Sequence, residues 1–131
     1  MAEAIRGTIH SLERYKQLID FSGLRFERNI TPTDFDAAID FGSKEWVLIE
    51  YKHKGNPLSS GQRRCLESAL LAHQKSGIKA LGIVANHSTE ADEVIDGASC
   101  NVIEVWSNGQ WRTPRVQRTV KETIDFWRSY Q

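Results

Sequence analysis

An α/β fold with a central mixed β-sheet flanked by helices is the class this sequence predicts, on three observations. Residues 46–49, Trp-Val-Leu-Ile, are unbroken apolar, as expected of a strand covered on both faces. The stretch PLSSGQRRCLESALLAHQKSG carries a serine cap, an apolar stripe and a closing glycine, the marks of an amphipathic helix. Asn108-Gly109 lies between two β-rich runs and suits a type I′ hairpin turn. Strands and helices in this order stack as a sheet with helices on its faces.

The first element is read from TIHSLERYKQLIDFSG. Ile9, Leu12, Tyr15 and Ile19 fall at roughly helical spacing and Gly23 stops the run, so a helix is expected over about 9–21. LRFERNI alternates Leu24, Phe26 and Arg28 with Arg25, Glu27 and Asn29, which predicts an edge strand. DAAIDFGSKEWVLIEYK reads as two strands joined by a tight turn at Gly42, Ser43 and Lys44, the second arm being central.

Ser59 or Ser60 then caps a helix whose face carries Leu66, Ala69, Leu70 and His73 and which ends at Gly77. IKALGIVANH is a short buried strand, and NVIEVWSNGQWRTP is the hairpin. Thr119 and Glu122 form a capping box for a last helix, with Val120, Ile124 and Trp127 on one face. The predicted order is helix, three strands, helix, strand, hairpin, helix. At 131 residues the expectation is one domain over 1–131.

Composition narrows the function classes. Hydrophobic residues are 40% and charged residues 26%, which excludes a disordered or fibrous chain. No apolar run approaches the roughly 20 residues of a membrane helix, and the segment MAEAIRGTIHSLERYK is charged throughout, unlike a secretory signal. A cytoplasmic protein without membrane attachment is expected. Cys65 and Cys100 lie far apart with no C-x-x-C pattern, so they are read as buried thiols. Basic and acidic residues balance at 17 each, so global charge carries no nucleic-acid footprint. Local charge does: from 112 to 128 five basic residues stand against two acidic ones, and Lys52, His53 and Lys54 form a second patch.

The chemistry concentrates at IEYKHKG, where the apolar strand ends in an acid and a base. Glu50 and Lys52 are two apart on a strand, so they share a face about 6.6 Å apart at the α-carbons, with Tyr51 on the other face. Ionised groups closing an interior strand need a partner or a metal. Folding the hairpin at 42–44 brings Asp36, at the start of the first arm, beside Glu50 at the end of the second. Two carboxylates about 4 Å apart repel by about 4 kcal/mol at an effective dielectric constant near 20. Either one is protonated or a cation sits between them, and a hard divalent ion held by one or two carboxylates suits magnesium or manganese. Lys52 is then placed to orient a water or to offset charge on a phosphate. The bland alternative for Glu50 and Lys52 is a surface salt bridge worth about 0–1 kcal/mol.

Asp36 followed after 14 residues by Glu50-Tyr51-Lys52 resembles the PD-(D/E)xK nucleases, among them restriction endonucleases, Holliday-junction resolvases and exonuclease domains of recombination enzymes. The resemblance spans residues 9–87, and the hairpin and last helix lie outside it. It implies a restriction-endonuclease-like αβββαβ core and a magnesium- or manganese-dependent DNA endonuclease. Asp36 and Glu50 would be metal ligands and Lys52 the catalytic amine. It adds Glu13 from the first helix as an acidic ligand and Gln62 at the start of the second as a neighbour of the site. The family's proline directly precedes its aspartate, whereas Pro32 stands four residues before Asp36, which leaves Asp34 as an alternative ligand.

Asp40 is read as a solvated strand residue, and His53 and His87 as surface or packing residues. Trp106 and Trp111 either pair across the hairpin or stack on unpaired bases. Lys54, Arg112, Arg115 and Arg118 are candidates for phosphate contacts. A domain this small has little surface for reading sequence, so structure-selective or partner-guided cutting is expected, with a homodimer placing two sites on two strands. Its size fits a phage or mobile-element origin. The rival from another class is a catalytically idle nuclease fold that binds nucleic acid or a protein, including a host defence enzyme.

Overall fold

The computed structural model describes residues 18–130. The chain divides after Pro32 into two units. In the first, the described segment is irregular except for a single 3-10 turn at Glu27–Asn29. The strand expected at LRFERNI is not formed. Arg28 and Asn29 adopt positive φ of 58° and 61°, and the Phe26 N–H donates to the Ile30 carbonyl at 2.8 Å, so the segment closes on itself. An alternating pattern alone makes no strand without a ladder partner. Of the helix expected over 9–21, residues 9–17 and with them Glu13 lie outside the described residues. Residues 18–21 are not helical, and the Asp20 carboxylate accepts from the Ser22 N–H at 2.9 Å, a local bond that competes with a helix.

The second unit holds an α/β fold. Strands β1 (Ala37–Asp40), β2 (Glu45–His53), β3 (Lys79–His87), β4 (Asn101–Ser107) and β5 (Gln110–Arg112) form one mixed sheet in the order β1-β2-β3-β4-β5. Helix α1 (Ser60–Lys75) joins the parallel pair β2 and β3, while the other neighbours are antiparallel. Helix α2 (Val120–Ser129) follows the hairpin. Two strands, not three, precede α1 among the described residues. Among them, too, no helix is long and apolar enough to cross a membrane.

Each element follows from local chemistry. The β1–β2 connection turns through Gly42 and Ser43, at φ of 85° and 71°, and the Asp40 carboxylate accepts from the Ser43 N–H at 2.5 Å. That exposed capping role is what Asp40 does. Ser59 caps α1 in a capping box with Gln62, and Gly77 at φ 83° follows its end. Thr119 and Glu122 form the corresponding box at α2. Asn108 and Gly109, at φ of 51° and 85°, make the two-residue turn that pairs Trp106 with Trp111.

Strand parity divides the core. Val47, Ile49, Leu81, Ile83 and Ala85 pack on one face with Val120 and Ile124 of α2. Leu48, Ala80, Val84 and Trp106 pack on the other with Leu66 and Leu70 of α1. The thiols differ from expectation: Cys100 is buried, but Cys65 is half-exposed on α1.

Gly82, on central β3, is where α1 comes closest. A Cβ at this position would lie 2.6 Å from Leu70 Cδ1 and 3.1 Å from Trp106 Cβ. Both neighbours are themselves buried, so neither has room to retreat. Gly82→Ala is expected to destabilise the fold by about 1–3 kcal/mol through overpacking, read as a lower urea midpoint with unchanged slope.

Candidate active site

β2 carries Glu50 and Lys52 toward α1 and Tyr51 away from it. Parity and partners agree: the Lys52 amine donates to Gln62 Oε1 of α1 at 2.8 Å, while the Tyr51 hydroxyl donates to the Gly97 carbonyl at 3.1 Å. Burial holds the Tyr51 phenol up, to about 12, with Cys100, Asp36 and Asp96 adding to the effect, which suits an anchor.

Asp36 precedes β1 by one residue, and Ala37 pairs with Ile49, so the register sets Asp36 against the end of β2. Two bonds clasp it there. The Asp36 N–H donates to Glu50 Oε2 at 3.0 Å, and the Tyr51 N–H donates to Asp36 Oδ2 at 2.8 Å. Glu50 is only 3% exposed, which removes the surface salt-bridge reading, and no ion pair joins it to Lys52 among the described residues. Burial raises its carboxyl from the ordinary 4.5 to about 7, and the Asp36 charge pushes the same way, as does Asp34. The bond from the Asp36 N–H and the Lys52 charge act in the opposite sense.

Gln62 serves two purposes through one oxygen. Its Oε1 accepts from the Ser59 N–H at 3.2 Å to close the capping box, and from the Lys52 amine. The amine is thereby tied to the first turn of α1. The structure brings Asp36, Glu50, Lys52 and Gln62 together, with Asp34 close enough to act on Glu50. Lys54 sits exposed in the turn after β2 at φ 51°, its N–H donating to the His87 carbonyl at 2.7 Å. His53 and His87 end the two parallel strands as a ring pair with centroids 5.1 Å apart, and His87 Nδ1 lies 2.8 Å from Thr89 Oγ1.

No family model, no curated protein and no solved structure matches this chain. Its chemistry therefore rests on the geometry alone. Each carboxylate of the clasp has one oxygen in a backbone bond, leaving Glu50 Oε1 and Asp36 Oδ1 without a hydrogen-bond partner among the described residues. Two hard oxygen donors of this kind fit magnesium or manganese, which take one or two carboxylates and fill the remaining positions with water and phosphate oxygens. Among the described residues no set of three or more Asp, Glu, His or Cys side chains is placed to hold a metal.

Other sequence candidates lie away from this clasp. Trp106 is buried, and Trp111, its partner across the hairpin, donates through Nε1 to Glu67 Oε2 at 2.6 Å and lies under the Arg63 guanidinium at 4.7 Å. Cross-strand pairing accounts for both rings. Arg112 pairs with Val105 on the α2 face, the side opposite Glu50 and Lys52, and Arg115 and Arg118 follow in the loop to α2. Arg128 stacks on Phe41 and pairs with Glu45 at 3.3 Å, and Lys121 pairs with Asp125 at 2.6 Å.

Sequence reasoning missed the Arg63–Glu104 ion pair at 2.7 Å, which together with Glu67 ties α1 to the hairpin. Its signal was present in Arg63 and Glu67, spaced four apart on one face of α1.

Glu50 makes stability depend on pH with an unusual sign. A carboxyl whose folded-state value is raised adds stability below its unfolded value, near 4.5, and that stability is lost as pH climbs through about 7. In metal-free buffer, Glu50→Gln keeps an acceptor for the Asp36 N–H and removes the charge. The variant is expected to gain on wild type as pH rises from 4.5 to 8, by about 1–3 kcal/mol at the upper end, measured by urea denaturation at a series of pH values.

Proposed function

We propose that this chain is a magnesium- or manganese-dependent deoxyribonuclease of the PD-(D/E)xK type that hydrolyses phosphodiester bonds. The observation that carries this reading is the clasp: a buried Glu50 and an exposed Asp36 locked at the end of a central strand, with the Lys52 amine on the same face. A buried carboxyl beside a second anion is costly for folding unless it is protonated or a cation offsets the charge, and groups perturbed in this way cluster at functional sites.

Asp36 and Glu50 would hold the ion, with Asp34 in reserve. When bound, it lowers the pKa of an attached water and offsets charge on the phosphate. The chain's own groups supply position. The Asp36 and Tyr51 backbone bonds fix both carboxylates before substrate arrives, so little reorganisation is left to the reaction. Lys52 spends one of its three N–H donors on Gln62 and keeps two for a phosphate oxygen or the attacking water. As the water oxygen loses a proton to solvent and bonds to phosphorus, the bond to the leaving sugar oxygen breaks and that oxygen takes up a proton from solvent, while a fixed ammonium offsets the charge that accumulates. Lys54, in the exposed turn beside the site, is placed for a phosphate flanking the cut.

With this little surface available for base contacts, the proposed substrate is DNA of a particular structure, or DNA presented by a partner, and a homodimer would cut both strands. The near-zero net charge favours a second reading, an idle nuclease fold that binds nucleic acid or protein. Nicking of plasmid, single-stranded and branched DNA with magnesium or manganese separates the two. Asp36→Ala and Lys52→Ala are expected to lower the rate by about 10²–10⁴ with the fold intact by circular dichroism. Equal rates in wild type and both variants would remove the enzyme.

A further inference from the structure

The α2 face of the sheet holds a feature that the proposed cleavage does not use. Between β4, β5, the loop after β5 and α2 lies an open cleft of about 900 Å³, floored by Leu81 and Val105 and bordered by Arg112, Arg115 and Arg118. No carboxylate lines it, and none of the three arginines is ion-paired among the described residues. The acids of α2 are engaged elsewhere, Glu122 in the helix cap and Asp125 with Lys121. Three like charges around one cleft repel each other and favour an anionic occupant.

The cleft is also built. Backbone bonds from the Val102 N–H to the Arg118 carbonyl and from the Val120 N–H to the Cys100 carbonyl pin the chain on both sides of Thr119, each at 2.9 Å. The Arg118 guanidinium lies 4.3 Å from the Phe126 ring centroid. Phe126 in turn meets Tyr130 edge-on at 4.8 Å, and Tyr130 is 74% exposed. A second cleft, of about 410 Å³, adjoins the first at Ser107, Asn108, Trp127 and Tyr130 and lies by the C-terminal end of α1.

We propose that the arginine-bordered cleft binds single-stranded nucleic acid, with Arg112, Arg115 and Arg118 on phosphates and Tyr130 as a platform for an unpaired base. Arginines without acids set the charge of the occupant, and an exposed ring supported by a second ring selects one with free aromatic faces, which a duplex and an acidic peptide lack. A cleft of about 900 Å³ has room for more than one nucleotide. The cleft lies across the sheet from Glu50 and near the opposite end of α1 from Gln62, so this strand is held apart from the proposed cleavage site.

The test is fluorescence anisotropy of a labelled oligothymidylate of about a dozen nucleotides, titrated with the full chain in EDTA. Binding is then read without any cleavage, so its outcome and that of the nicking assay are independent. Wild type is expected to bind this probe about tenfold more tightly than the matching duplex. Arg115→Ala and Tyr130→Ala should each weaken it about tenfold, while Tyr130→Phe, which keeps the ring, and Lys44→Ala, an exposed charge elsewhere, leave it unchanged. The salt slope should fall by about 0.7 for each arginine removed. Arg115 makes no side-chain bond among the described residues, so its replacement does not disturb the fold. Equal affinity for duplex, an unaltered Arg115→Ala, or equal competition by an acidic peptide would overturn the proposal.

Discussion

The reciprocal clasp between Asp36 and Glu50 is the constraint on which the arrangement of this protein turns. One residue gives its backbone N–H to the other's carboxylate, and its own carboxylate accepts the N–H of the next residue along β2. A short outer strand is thus registered against the end of a central one by side chains as well as by the ladder. β1 is only four residues long, and on its own such a strand specifies register weakly. The same two bonds hold a carboxyl in a place where burial makes ionisation costly.

From that fixed point the sheet assigns a role to each face. Parity sends Glu50 and Lys52 toward α1, and the first turn of α1 meets them with Gln62, whose oxygen closes the helix cap and holds the amine. On the other face the same strands present Val47, Ile49 and Tyr51 to a core closed by α2. Beyond the edge of that core the hairpin and the loop into α2 leave an arginine-lined cleft. A pair of carboxylates and an arginine-bordered, aromatic cleft therefore lie on opposite sides of one sheet.

Much of this was legible in the residue order because it depends on short-range rules. The serine cap at 59 or 60, the capping box at Thr119, the Asn108-Gly109 turn and the sharing of a face by Glu50 and Lys52 all depend on spacing of four residues or fewer, and the structure has each of them, the serine cap being Ser59. The hairpin that carries Asp36 to Glu50 follows from one turn. What failed was the strand expected at 24–30, where alternation existed but local bonds closed the segment into a turn. Glu13 and most of the first expected helix lie outside the described residues. The half-exposure of Cys65 and the pairing of Arg128 with Glu45 depend on how a helix is rotated against the sheet, which composition does not encode.

The sequence by itself determined the α/β class, the two capped helices, both hairpins and the placing of an acid and an amine on one face, because turn chemistry and strand period act over a few residues. Only the tertiary structure decided that Glu50 is buried, that Gln62 rather than an acid receives Lys52, and that Arg112, Arg115 and Arg118 lie across the sheet from them. The physical reason is the same in each case. Burial, partner choice and facing are set by contacts between residues from ten to more than eighty positions apart, and those exist only once the sheet has closed.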